Sequence, residues 1–510
     1  MTSEDTGITE VGDRDLPAWV EHSIWWHVYP LGATGAPIRP ETPADRSPAP
    51  RLGRLIEWLD YLVDLGANVM LPIIIFTLGL ILRRGVGKSL QAGLTIGAGF
   101  VGISLVINLL NDELGPAAGA MAENFGGSLE IVDLGWPGTS PMAWASTMGI
   151  ISIPIAIAVN IAMLLTRTTR VLNVDIWNIW HMAFTGIIVQ LATGNFWLGV
   201  LGVVVHAALA YKFGDMYGAV TDDYFGLEGV AIPHGTSAVM GVFAAPIDDL
   251  IERIPGLRKV TINTETLEER VGFFGQPIVI GTLLGLVVGL LAGYPIGDSL
   301  QLAVEMGAVM LLMPMVVKLI MQGLMPIADA ARDMLQKRFK NADYKIGLDP
   351  ALLLGQPQVI SASLIFVPLS IVIAILMPGN RVLPFGDLAT IGFFVAIAVG
   401  IHKGNIFRTL FSGTLIMSVT IWIANRMVPL TTELARVTDK LGDASQVASL
   451  DQGGNPITYL LARGLSGQVG VGLAVIAALY VFCWVYTFVK YRRGTLYRAD
   501  EPEPETEVAR

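Results

Sequence analysis

The stretch "FGLEGVAIPHGTSAVMG", residues 225–241, decides how the chain is to be read. It carries a carboxylate (Glu228), an imidazole (His234) and two hydroxyls (Thr236, Ser237). Gly226, Gly229, Pro233 and Gly235 interrupt any regular helix through it. On both sides the chain is mostly hydrocarbon. Backbone that is neither helix nor closed sheet survives at membrane depth only where protein or water covers it. Polar groups placed there face a cavity or a partner. The stretch therefore points to a polar site inside a membrane protein.

Composition agrees. Of 510 residues, 53% are hydrophobic and 15% charged, against roughly a quarter charged in soluble proteins. Apolar runs near the ~20 residues that span a bilayer recur along the chain. Eleven are expected to be helices, at 60–82, 89–110, 144–165, 176–193, 195–213, 277–295, 301–323, 358–377, 386–402, 405–425 and 468–489. With the loop after the first run in the cytoplasm, alternate loops carry Arg83, Arg84, Lys88, Arg167, Arg170, Lys212, Lys403, Lys490 and Arg492. The stretch 111–143 on the other side has no Lys or Arg. The positive-inside bias thus places the N-terminus outside and the C-terminus in the cytoplasm. The loop 426–465, expected outside, runs against the bias with Arg426, Arg436, Lys440 and Arg463.

A net charge of −10 gives no nucleic-acid signature. The lone cysteine, Cys483, lies in the last run and reads as a packing residue. Residues 1–20 are too polar for a cleavable signal peptide, and none is expected. The tail "ADEPEPETEVAR" has the composition of a disordered segment.

Two further polar clusters break the apolar pattern. One is "YKIGLDPALLLGQPQVISAS", 344–363, with Asp349 before a proline. The other is "LPFGDLATIGFF", 383–394, with Asp387. Within the run 176–193, Asn178, His181 and Thr185 share one helix face. The hairpins at 225–241 and 344–363 fall in corresponding places of two half-chains, which permits an internal repeat. His206 has no polar companion at helical spacing and reads as structural. His402 and Lys403 read as boundary residues at a span end. The sequence shows no nucleotide loop, zinc spacing or catalytic triad. No catalytic residue, metal or cofactor is expected.

The segments "VDLGANVMLPIII", "GPAAGAMAENF", "VDLGWPGTSPMAWAS", "TRTTRVLNVDIWNIWHMAFTG", "LEGVAIPHGTSA", "IGLDPALLLGQ" and "LPFGDLATIGFFVA" resemble, in order, the galactitol-specific enzyme IIC permeases of the phosphoenolpyruvate-dependent sugar phosphotransferase system (PTS). The resemblance divides the chain into an N-terminal extension (1–56), a permease domain (57–493) and an acidic tail (494–510). It implies an all-α polytopic membrane protein of about eleven transmembrane helices with two re-entrant hairpins and an elevator-type architecture. It also implies that the chain moves galactitol or a related hexitol across the cell membrane. A separate IIB subunit, itself served by IIA, would phosphorylate the hexitol from a phosphocysteine. Membrane lipid and a second copy of the chain complete the implied partners. By likeness to the related ascorbate permeases, His181, Thr185, His234 and Asp349 would line the substrate pocket. Their chemistry adds Glu228 and Asp387 to the expected substrate-binding set.

Residues 22–66 depart from this pattern. They resemble the first strand and helix of an α-amylase-family glycoside hydrolase. Nothing later supplies the two carboxylates glycoside hydrolysis needs, so the head reads as a fused remnant or a mis-called start, and a membrane-anchored glycosidase is disfavoured. The competing function is a proton- or sodium-coupled secondary transporter of a polyol or organic acid.

Overall fold

A computed structural model describes residues 67–125, 129–262, 276–338, 344–354, 356–442 and 444–497. The amylase-like head and the tail from residue 498 onward lie outside the described residues. Helices dominate. The first half runs α1 (Ala67–Ile81), α2 (Val86–Phe125), β1 (Ile131–Val132), α3 (Gly135–Trp144), α4 (Thr147–Leu165), β2 (Val171–Asn173), α5 (Trp177–Thr193), α6 (Phe196–Met216), β3 (Val230–Ala231), α7 (Ser237–Met240) and α8 (Ala244–Glu252). The second runs α9 (Pro277–Leu291), α10 (Ile296–Arg338), β4 (Lys345–Gly347), α11 (Ala351–Leu354), α12 (Pro357–Leu376), β5 (Val382–Leu383), α13 (Gly392–Ile401), α14 (Ile406–Val437), α15 (Pro456–Leu465) and α16 (Val471–Arg492).

Each of the eleven apolar runs contains a helix among the described residues, although the first is described only from Ala67 and the run 386–402 is α-helical only over Gly392–Ile401. Among the described residues, five helices are long and apolar enough to cross a membrane: Thr147–Leu165, Phe196–Met216, Gln358–Leu376, Ile406–Val437 and Val471–Arg492. Apolar side chains exposed on them, such as Leu165, Leu376, Val471 and Val475, suit contact with lipid. By contrast α13 has ten residues, all buried. The run expected at 386–402 is thus a short interior helix behind a broken polar entry.

The two halves repeat. "VGKSLQAGLTIGA" (86–98) matches "IGDSLQLAVEMGA" (296–308), and "GNFW" (194–197) matches "GNIF" (404–407) at the same offset. The structure repeats with them. In the first hairpin a Cβ on Gly79 would lie 2.4 Å from Ser89 Oγ. In the second, a Cβ on Gly289 would lie 2.9 Å from Ser299 Cα. Asn195 caps α6 by accepting from Trp197 and Leu198 N–H, and Asn405 caps α14 by accepting from Phe407 and Arg408 N–H. A cap of this kind contributes about 1 kcal/mol.

The short strands cross between the halves. β1 pairs in parallel with β5, and β2 pairs in parallel with β4. A third segment flanks each pair: β3 lies on β4, and Ala448 bridges Asp133 beside β1. The counterpart of the polar stretch 225–241 is therefore the segment around 447–455, not the hairpin 344–363. This corrects the reading of 426–465 as an outside loop. Residues Val447–Asn455 are buried and return into the core between α14 and α15.

Aspartates secure each crossing. Asp349 N–H donates to Asp175 Oδ2 (3.1 Å), whose other oxygen accepts Trp177 N–H (2.9 Å). In the sister crossing, Asp133 accepts main-chain N–H groups from Gly135, Leu450, Asp387 and Phe385 at 2.9–3.3 Å. Asp387 accepts from Trp136 (2.9 Å) and Asp451 (2.8 Å). A buried N–H left without a partner costs about 1–3 kcal/mol. Asp133→Ala orphans several at once and is expected to lose at least about 3 kcal/mol, with Asp133→Asn, which keeps one acceptor oxygen, intermediate. Thermal unfolding of the purified protein in detergent checks the order. An unchanged melting temperature in Asp133→Ala would refute the role given to this carboxylate.

Candidate substrate-binding site

Four side chains meet where the crossings converge. His181 lies on α5 and His234 just past β3; Asp349 follows β4, and Asp451 follows the bridge at Ala448. All are buried. The imidazoles of His181 and His234 stand edge to face with centroids 4.1 Å apart. Their close approach depends on Gly235: a Cβ there would fall 2.5 Å from the His181 side chain. Phe393 on α13 covers the far face of His234 at 5.4 Å, and Trp180 flanks His181 at 4.3 Å.

The hydrogen bonds fix a tautomer. His234 Nδ1 accepts from Thr236 and Ser237 N–H, both at 3.2 Å. A neutral ring accepting at Nδ1 carries its proton on Nε2. That nitrogen faces Asp349 Oδ2 at 4.0 Å, and His181 Nε2 faces Asp451 Oδ2 at 3.9 Å. Both gaps exceed hydrogen-bond length. Both ring nitrogens of His181 and the Ser237 hydroxyl are buried without a hydrogen-bond partner among the described residues.

A polar chain leads away from this pair of couples. Thr236 hydroxyl donates to Asp451, and Gln452 reaches both Thr236 (3.4 Å) and Asp451 (3.3 Å). Thr458 joins Gln452 to Thr185 at 3.4 and 2.7 Å, and Thr185 meets His206 Nδ1 at 2.6 Å. Asn455 holds the Gly235 carbonyl at 2.7 Å.

Of the residues expected from sequence, His181, His234 and Asp349 come together, and Thr185 joins through the chain of hydroxyls. Asp387 is buried, but both its oxygens accept main-chain N–H, so its role here is to hold the crossing. Glu228 is exposed on the turn before β3, and the buried cluster is assembled without it. His206 proves to be polar-bonded, through a neighbouring helix rather than its own. His402 does end its helix, as the C-cap of α13, but it is buried and bonded to Asp248 and Ser412, each at 2.9 Å, tying α8 to α14. Asp133, Asp175, Asp451, Gln452, Asn455 and Thr458 were not singled out. "SLDQGGNP" (449–456) is as polar and glycine-broken as the opening stretch and could have flagged three of them, Asp451, Gln452 and Asn455.

A buried array of donors and acceptors between helices suited to lipid contact defines a membrane carrier for a polar solute. The chain belongs to the PTS system sugar-specific permease components (EIIC-GAT), whose family profile matches residues 61–444. It is 56% identical over 438 residues to the "PTS system galactitol-specific EIIC component" of Escherichia coli (strain K12), covering 86% of this chain and 96% of that protein. The E. coli O157:H7 protein of the same name matches equally. A "Putative permease IIC component" of strain K12 is 38% identical over 428 residues.

Gly235→Ala is expected to lower the melting temperature by forcing the His181 ring aside. The loss should be smaller in a His181→Ala background, where the ring is gone and the two changes no longer act independently. Thermal unfolding of the two single variants and the double variant tests this; simple additivity would show that the contact does not matter.

Proposed function

We propose that this protein is the permease subunit of a galactitol-type phosphotransferase system, carrying galactitol or a closely related hexitol across the cell membrane to a separate IIB subunit. The observation that carries the reading is the pair of histidine–carboxylate couples with gaps of 3.9 and 4.0 Å. An oxygen ~2.8 Å from both atoms of such a couple subtends an angle near 90°, which a hydroxyl meets by accepting from N–H and donating to the carboxylate. Two couples around one His–His contact suit two hydroxyls of one polyol. The 56% identity to a galactitol-specific component supports the choice of substrate.

In this reading the chain supplies position rather than a nucleophile. Cys483, the one cysteine, is buried on α16, so phosphoryl transfer falls to IIB, charged by IIA. The long apolar helices act as spans, the short buried α13 lies among them without spanning alone, and the C-terminus is in the cytoplasm. The crossed segments move together as the carrying body of an elevator, within a dimer.

Uptake into vesicles should require phosphoenolpyruvate and the soluble phosphotransfer proteins and should yield the phosphorylated polyol. Uptake of unmodified polyol on a proton or sodium gradient alone would overturn the proposal. Asp451→Asn should weaken binding to purified protein about tenfold, since a hydrogen bond to a charged group is worth about 1.5–3 kcal/mol, and His234→Ala about fivefold, since a neutral one is worth about 1 kcal/mol. Glu228→Gln should bind as the native protein does.

A further inference from the structure

Apart from the polar site, a groove of about 910 Å³ runs along the outer side of α14, α15 and α16. Its apolar wall comes from Val419, Val471, Val475 and Ile476, and its polar end from Arg426 and Arg463. Val471 and Val475 are 82% and 57% exposed, so the wall faces outward. The Arg426 guanidinium sits 4.7 Å over the Trp422 ring. Arg463 is fixed by donating to the Arg426 carbonyl (2.6 Å) and to Gln468.

Two facts set this pair apart. Among the described residues Arg426 and Arg463 are paired with no carboxylate and share a groove that contains none, whereas Arg253 and Arg493, also without an ion pair, line a groove that holds Asp249. Their depth is also particular. α14 begins at Ile406, and a bilayer core of ~30 Å takes about 20 residues of helix. Arg426 therefore falls at the far interface, where α16 starts at Val471. The other end of α16 carries Lys490 and Arg492, as expected at the opposite interface.

We propose that this groove is a binding site for an anionic phospholipid. The headgroup phosphate would sit on Arg426 and Arg463, and an acyl chain would lie along the valine wall. Two guanidiniums with no protein counter-charge complement a phosphate, and the groove continues from them as apolar surface exposed toward the hydrocarbon. The same site accounts for two of the cations, Arg426 on α14 and Arg463 on α15, that stand on the side the positive-inside bias leaves poor in them.

The test uses the full-length protein, delipidated in maltoside micelles, and native mass spectrometry with dioleoyl phosphatidylglycerol and dioleoyl phosphatidylcholine. The native protein should bind the anionic lipid at least tenfold more tightly, and Arg426→Gln/Arg463→Gln should abolish the preference. Val475→Trp, which fills the groove and leaves the arginines, should weaken phosphatidylglycerol at least tenfold, and it decides the matter if the double variant does not fold. Equal binding of both lipids, or a preference untouched by these variants, overturns the proposal. So does displacement of phosphatidylglycerol by millimolar inorganic phosphate with Val475→Trp binding unchanged, which would mark a site for a dissolved anion. Loss of the oligomer in Val475→Trp would overturn it in favour of a contact between copies of this chain.

Discussion

Everything in this molecule depends on aspartate carboxylates accepting main-chain N–H groups at the ends of short parallel strands. Strands of two or three residues cannot satisfy a peptide backbone alone, and in a membrane interior no water makes up the shortfall. Asp133 takes four N–H groups, Asp387 two, and Asp175 links its own helix start to the chain at Asp349. These bonds let the backbone leave helical form in mid-protein. That freedom is what brings side chains from four distant segments to one place.

The site is the product of that arrangement. The scaffold has two similar halves, but equivalent positions past the flanking segments hold His234 in one and Asp451 in the other. The symmetry governs the backbone while the side chains differ, so the site joins imidazoles from the first half to carboxylates from the second. Each histidine then finds its carboxylate across the gap from another part of the chain.

Much of this was legible in the sequence. An apolar run reports itself locally, because crossing a bilayer depends on length and hydropathy over one continuous segment. Hence the long runs proved to contain helices, while 386–402, whose start is polar and glycine-broken, is α-helical only over Gly392–Ile401. His234 and Asp349 stood out because glycine and proline broke their surroundings. The crossings were not legible: Asp175 meets Asp349, and Asp133 meets Asp387, across separations of 174 and 254 residues. Asp451 was hidden for another reason. Arg426, Arg436, Lys440 and Arg463 made 426–465 read as a watery loop, yet they flank the buried part without entering it. The bond of His206 was not legible because helical spacing reports only neighbours on the same helix, and its partner, Thr185, is on the helix before.

The strand exchange also sets where the molecule can bend. A protein made of two similar halves invites the picture of halves swinging apart at their junction. Here β1 belongs to the first half and hydrogen-bonds to the second, while β2 does the same in the sister sheet. Pulling the halves apart would strip both sheets and orphan the N–H groups held by Asp133 and Asp387. The seams of least resistance lie elsewhere, along helix–helix contacts that involve no exchanged strand, such as those bordering the long hairpins α1–α2 and α9–α10. Any displacement that leaves the crossings intact carries pieces of both halves as one block, with the two histidines and their carboxylates inside it.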